Sequence, residues 1–203
     1  MALPLKHPFT CLVVGPTGSG KSHFVARLLQ NKDVMISPTS DRIYWCYDEY
    51  QPLFEEVSNK LPNVQFLQGF PEEIDQEINC TKNSLLILDD LQSEISDNKR
   101  LSNIFSKGSH HRSLSVLFIQ QNLFYQGKES KTIRLNCQYL VLFKSPSDRQ
   151  QICTLARQIQ PRGSQYILEA YDDATKLPFS YLFLDHKPDT DDRLRIRTSI
   201  FPG

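Results

Sequence analysis

The sequence predicts an α/β protein, a three-layer sandwich with helices on both faces of a mainly parallel sheet. Three observations predict it. Short apolar runs alternate with segments of helical periodicity along the chain. One of these runs, Leu85 to Leu88, is apolar at every position, which requires both faces of its sheet to be covered. The first run is joined to the first helical segment by Gly15-Pro16-Thr17-Gly18-Ser19-Gly20-Lys21-Ser22, which satisfies the G-x-x-x-x-G-K-[ST] phosphate-loop pattern at every required position.

The elements follow in order. Phe9 to Val14 is the first strand, and Ser22 to Leu29 the first helix, with Phe24, Val25, Leu28 and Leu29 on one face. Lys32 to Asp41 reads as a loop around Pro38. Arg42 to Tyr47 is aromatic and β-prone, a second strand. Tyr50 to Lys60 is helical, with Leu53, Phe54 and Val57 on one side. Val64 to Leu67 is a short strand and Glu72 to Ile78 a short helix. Ser84 to Leu88 is a strand ending in acid. Lys99 to Lys107 is a helix with Leu101, Ile104 and Phe105 inward. Ser115 to Ile119 and Gln138 to Phe143 are further buried strands. Asp148 to Gln158 and Ser164 to Tyr171 are helices separated by Pro161 and Gly163. Tyr181 to Leu184 is a late strand, and Arg193 to Thr198 is an edge strand or a tail.

Strand, glycine loop and helix in succession suit one chemistry. Glycines let backbone N–H groups converge on phosphate oxygens, and the helix N-terminus adds favourable partial charge. Lys21 is placed to reach the β- and γ-phosphates and Ser22 to offer a hydroxyl to Mg²⁺, so ATP with Mg²⁺ is the expected ligand pair. Asp89-Asp90 closes the run Leu85 to Leu88. Asp89 is the candidate Mg²⁺ carboxylate and Asp90 the candidate base for the attacking water. Asp90 as a helix or turn cap is the structural alternative, and Glu94 is a second candidate base. Gln120-Gln121-Asn122 ends another strand, where an amide can sense the γ-phosphate or orient water; a plain polar loop is the alternative.

The chain has 203 residues, the length of one domain, taken as 1–203. Its 23 basic and 23 acidic residues balance, so any nucleic-acid surface must be a local patch. Lys99, Arg100, Lys107 and Arg112 form one candidate patch. Arg193, Arg195 and Arg197 form another, on one face of an extended segment. Solvated surface charge is the alternative for each. Five scattered cysteines without CxxC spacing argue for buried thiols in a reducing compartment, the cytosol or nucleus. No apolar run reaches membrane-spanning length, and no signal peptide opens the chain. The adjacent His110 and His111 point to opposite faces of an extended segment and do not suit one metal ion. Arg112 follows them and is a candidate arginine finger, or an ordinary surface arginine.

With these residues in view, the sequence resembles the poxvirus-type genome-packaging ATPases of the FtsK–HerA superfamily, in the versions carried by Polinton/Maverick transposons and virophages. The matching segments are His7-Pro8-Phe9 leading into the phosphate loop, Leu85 to Leu91, His110 to Phe124, and Tyr139 to Leu155. The resemblance implies a RecA-like P-loop NTPase sheet, with the sensor strand between the phosphate-loop strand and the metal-acid strand. It implies an ATP-driven motor that translocates double-stranded DNA into a capsid, as a homo-oligomeric ring working with capsid proteins and no membrane. By motif, Lys21, Ser22, Asp89, Asp90 and Gln121 carry over as ATP, Mg²⁺ and sensor residues, and Arg112 as the finger, with Arg100 in reserve. The setting implied is host cytoplasm or nucleus, with possible association with the virion. Two positions depart from the family: Gln120 stands where Thr is common, and Asp90 where Glu is usual. A transposon-derived ATP-binding scaffold without turnover is the alternative, as is a small-molecule kinase, although the late segment is strand-forming and not an arginine-rich lid. Asn31-Lys32-Asp33 superficially resembles a GTPase guanine motif but lacks the accompanying spacing.

Overall fold

The computed structural model describes residues 3–70, 83–91, 103–104, 113–124 and 130–202. In chain order the elements are β1 (Leu5–Lys6), β2 (Thr10–Val14), α1 (Lys21–Gln30), α2 (Lys32–Met35), β3 (Ile36–Ser37), β4 (Arg42–Tyr47), α3 (Leu53–Lys60), β5 (Val64–Gln68), β6 (Ser84–Asp89) and β7 (Leu114–Gln120). Then come α4 (Ser130–Leu135), β8 (Tyr139–Phe143), α5 (Arg149–Ile159), α6 (Ser164–Ala174), β9 (Tyr181–Asp185) and β10 (Ile196–Arg197).

Among the described residues, eight strands make one sheet in the order β10-β9-β8-β2-β7-β6-β4-β5. From β8 to β5 every pairing is parallel; β9 and β10 join antiparallel. The sheet is therefore mainly parallel, and β7 lies between the phosphate-loop strand β2 and the acid-ending strand β6. A small parallel pair, β1 with β3, stands apart.

The strand residues alternate between two cores. Leu12, Val14, Leu86, Leu88, Val116 and Phe118 face Ile152 and Leu155 of α5 and Tyr171 of α6. Cys11, Val13, Leu85, Ile87, Leu117 and Ile119 face Phe24 and Leu28 of α1 and Phe54 and Val57 of α3. Both faces are thus covered, which is why these runs are apolar throughout. Trp45, fully buried, anchors the second core with Phe54 and Phe66 at ring centroids of 5.3 and 5.5 Å. Burying such a side chain contributes about 1.5–3 kcal/mol.

Several expectations need correction. The stretch read as a loop, Lys32 to Asp41, holds α2 and β3, because Met35 and Ile36 are buried and draw the backbone against the core. The helix expected from Tyr50 begins at Leu53, with Pro52 at its N-cap, so residues 48–51 are free to line a cleft. Helix α4 has too short a periodic stretch to read from sequence and was not anticipated. Arg193 to Thr198 is extended only at Ile196–Arg197; Asp192–Leu194 is a 3₁₀ turn, so the three arginines do not share a strand face. Each is engaged by a nearby acid: Arg193 with Asp191 at 2.8 Å, Arg195 with Asp192 at 2.7 Å, and Arg197 with Asp185, at the end of β9, at 3.1 Å. The helix expected over Glu72 to Ile78 lies outside the described residues, as does all of Lys99 to Lys107 but 103–104; Ile104 is buried.

Cys11, Cys46 and Cys137 are buried thiols outside any disulfide, and burial pushes Cys137 up to about 12. That leaves it an unreactive, hydrophobic filler. Among the described residues, no helix is long and apolar enough to cross a membrane.

Candidate nucleotide-binding site

The site lies beyond the carboxyl ends of β2, β7, β6 and β4. Gly15 leaves β2 directly, and its N–H donates to Gln120 O at 3.2 Å, tying the loop to the end of β7. A Cβ on Gly15 would stand 2.6 Å from Phe143 Cβ and 2.7 Å from Ser19 Oγ, so only glycine fits there. Gly20, the N-cap of α1, has φ +99°, a conformation side chains disfavour. Helix α1 has no capping side chain and no acid in its first turn. Its leading N–H groups therefore remain available to an anion. Ser19 Oγ is buried with no partner among the described residues.

Lys21 Nζ donates to Pro16 O at 3.0 Å, which folds the ammonium back over the loop. Burial holds this ammonium below the usual lysine value, although Asp90 and then Asp89 favour its charge. Ser22 Oγ donates to Asp89 Oδ2 at 3.3 Å, so the first turn of α1 meets the end of β6. Asp89 is buried, and the same oxygen accepts from Trp45 Nε1 at 3.2 Å. Burial pushes the Asp89 carboxyl up to about 6; the Trp45 hydrogen bond opposes this, and the charge of Asp90 adds to it. A desolvated carboxylate beside a hydroxyl is an oxygen donor set suited to a hard cation, so the residues present fit Mg²⁺.

Asp90 turns out of the strand with φ +59°, in the left-handed region that Asp tolerates better than most residues. Its N–H donates to Ile119 O at 3.2 Å. Its Oδ2 accepts from Gln121 Nε2 at 2.9 Å. Of the three polar residues ending β7, Gln121 faces the cleft, Gln120 is buried, and Asn122 Oδ1 accepts from Gln151 at 3.5 Å. Thr17, Gly18, Gly20, Lys21, Ser22, Asp89, Asp90 and Gln121 thus line one open cleft of about 600 Å³. Arg112, Arg100 and Glu94 lie outside the described residues.

Two features were missed from the sequence. Asp48 and Glu49 line the same cleft, and Asp48 N–H donates to Asp89 O at 3.3 Å. Their signal was available: they follow strand β4 as Asp89-Asp90 follow β6, but only the adjacency of β4 and β6 brings the two acid pairs together. The Trp45 donor was hidden for the same reason.

The strand order and this loop make a P-loop NTPase fold, with β7 inserted between the phosphate-loop strand β2 and the acid-ending strand β6. Among solved structures, the chain is similar to the genome-packaging NTPase B204 from Sulfolobus turreted icosahedral virus 2 in complex with AMPPCP. The TM-score is 0.62 at 11% identity, covering 94% of this chain and 96% of that one. Against the same NTPase in complex with ATP-γS the TM-score is 0.58 at 12% identity, covering 94% and 96%. The cytoplasmic domain of the Thermomonospora curvata type VII secretion ATPase EccC gives 0.57 at 14% identity, covering 90% of this chain and 24% of that one. The chain therefore has the fold of viral packaging and secretion ATPases, as the sequence resemblance implied. No protein-family model and no curated protein sequence matches it.

Proposed function

We propose that the protein is an ATP-hydrolysing motor of the genome-packaging type within the FtsK–HerA superfamily. It moves double-stranded DNA into a capsid as a homo-oligomeric ring, in the host cytoplasm or nucleus or in association with the virion. The observation that carries this reading is the junction of three strand ends: Ser22 bonded to Asp89, and Gln121 bonded to Asp90, around a complete phosphate loop.

Each residue has a defined task. The loop N–H groups and Lys21 hold the triphosphate and offset its charge. Ser22 and Asp89 would hold Mg²⁺, which when bound neutralises charge on the phosphate oxygens. Gln121 donates to one oxygen of Asp90, which fixes the carboxylate and leaves its other oxygen to accept a proton from water. Through the same bond, Gln121 links the end of β7 to the position of that base. Arg112 is the proposed finger, acting on a neighbouring subunit's nucleotide. A planar, permanently charged guanidinium suits the spread charge of a transferring phosphoryl group.

The direct test is ATP hydrolysis by purified protein with and without double-stranded DNA at several salt concentrations. Hydrolysis should rise with DNA, and DNA binding should weaken steeply with salt. Hydrolysis indifferent to DNA, with no DNA affinity at low salt, sinks the motor. Arg112→Ala should bind ATP yet hydrolyse it about a thousandfold more slowly, and mixing it with Lys21→Ala subunits should restore some activity. No rescue in rings shown to assemble moves the finger to Arg100.

A further inference from the structure

Past Gly20, beside the cleft, lies a second cavity of about 390 Å³. Gly20 and His23 line both, so the two lie side by side. The walls of the second cavity are aromatic: Phe179, Tyr181 and Phe201, with Arg27. Phe201 is a fixed wall. The Arg27 guanidinium lies 4.5 Å over its ring centroid, the Phe24 ring is 5.3 Å away, and the preceding residue, Ile200, donates its N–H to Tyr181 OH at 3.2 Å.

Phe179 is different. It has φ +63°, a conformation that a bulky side chain rarely adopts. Burial does not offset that strain, because the residue is 71% exposed. Its ring stands against the phosphate loop: a Cβ built on Gly20 would lie 3.1 Å from Phe179 Cδ1. A strained, exposed aromatic ring held against a phosphate-binding glycine has no role in the packing of the core.

We propose that this cavity is the nucleobase subsite, where a purine stacks against Phe179 while the phosphates occupy the loop. The proposal rests on the nucleotide-binding reading of that loop. His23 lines both cavities and directly follows Ser22, so it stands where the sugar joins base to phosphates. Stacking on an aromatic ring uses the face of the base and tolerates any base, and a larger ring system stacks better. Purines are distinguished from each other by the donors and acceptors on their edges. Of the polar side chains in the cavity wall, the Arg27 guanidinium is stacked over Phe201 and the Tyr181 hydroxyl accepts from Ile200 N–H, and among the described residues lining the cavity there is no carboxylate and no carboxamide to read that edge. The subsite therefore favours purines without selecting strongly between them, and ATP and GTP bind within about tenfold of each other.

The experiment measures binding of Mg²⁺-ATP, Mg²⁺-GTP and inorganic tripolyphosphate to the wild-type chain, Phe179→Ala and Phe179→Trp. Phe179→Ala should weaken ATP and GTP by roughly five- to hundredfold, the range for removing one stacking ring. Tripolyphosphate, which has no base, should bind both proteins equally, and Phe179→Trp should retain the nucleotide affinity. ATP affinity unchanged in Phe179→Ala overturns the subsite, as does an equal loss of ATP and tripolyphosphate. A hundredfold preference for one purine overturns the claim that the face alone is read. A wild-type chain that binds neither ATP nor tripolyphosphate overturns both the subsite and the phosphate-loop reading.

Discussion

The cleft at the ends of β2, β7 and β6 and the outer edge formed by β9 and β10 both hold charges taken out of water, and they treat them in opposite ways. At the edge, charge meets opposite charge. Arg197 donates to the buried Asp185 and stacks 4.6 Å over Phe183, and Arg195 donates to Asp192 and to Lys187 O. In the cleft the hydrogen-bond partners are neutral, although Asp90 and Asp89 lie close enough to favour the charge of Lys21. Lys21 donates to a backbone carbonyl, Asp89 accepts from an indole and a hydroxyl, and Asp90 accepts from an amide. Neutral partners orient a charged group without cancelling it. At the edge opposite charges offset each other, and in the cleft the charged groups stay oriented and uncancelled by a bonded counter-charge, as the proposed function requires.

The sharpest break of that comparison is a pair of alanine substitutions. Lys21→Ala should abolish ATP hydrolysis and strongly weaken nucleotide binding, with a melting temperature near that of the wild type. Arg197→Ala should do the reverse. It removes the counter-charge of the buried Asp185 and leaves Oδ2 without its donor, while Oδ1 keeps the Lys187 N–H, which costs about 2 kcal/mol and lowers the melting temperature by roughly 4–8 °C, with ATP binding retained. Activity assays and thermal melts on both proteins decide the matter. A Lys21→Ala protein that hydrolyses ATP normally would show that the cleft is not the site.

A smaller effect sharpens the division within the cleft. Asp90→Asn should keep nucleotide affinity and lose turnover by about a hundredfold or more, because the proposed base is gone. Gln121→Ala removes only the group that orients that base, so its loss in kcat should be about tenfold. Equal losses in the two variants would mean that Gln121 touches the reacting phosphate itself and does more than hold Asp90.

The smallest effect lies at the other end of the sheet. His7 Nε2 faces Ser113 O at 3.0 Å, which places the proton on Nε2 and leaves Nδ1 to accept from the Ser115 hydroxyl. Ser115 Oγ in turn accepts from Phe9 N–H at 3.0 Å. Burial holds His7 below its usual value of 6.5, outweighing the Ser113 hydrogen bond and the charge of Asp41, which raise it. The unfolded chain thus takes up this proton first. The stability contributed is fully present above pH 6.5 and is lost as pH falls from there toward the folded value. Urea midpoints at pH 7.5 and pH 5 should show that loss, and His7→Gln should lessen it. An identical pH dependence in the variant would remove His7 from the account.

What the sequence showed and what it hid divide along the same physical line. The strands Phe9 to Val14, Ser84 to Leu88 and Ser115 to Ile119, the first helix and the phosphate loop are local patterns, readable from spacing alone. Asp89 was readable because it ends an apolar run. The order of the strands is not local. Trp45 and Asp48-Glu49 reach Asp89 only because β4 pairs with β6, and periodicity does not encode which strand lies beside which. The resemblance supplied the place of β7 between β2 and β6, which the residues alone did not. Helices α2 and α4 were hidden for a different reason: at 4 and 6 residues they are too short for a helical period to establish itself.

The hydrogen bond from Trp45 to Asp89 has an optical consequence. The chain has one tryptophan, and its indole N–H points at the carboxylate assigned to Mg²⁺. Indole emission depends on the electric field across the ring, and a divalent cation arriving at that carboxylate changes the field at hydrogen-bonding distance. The molecule thus carries an intrinsic fluorophore wired to its proposed cation site. Titrating Mg²⁺ should shift the emission without any label, and Asp89→Asn should leave the spectrum flat over the same range.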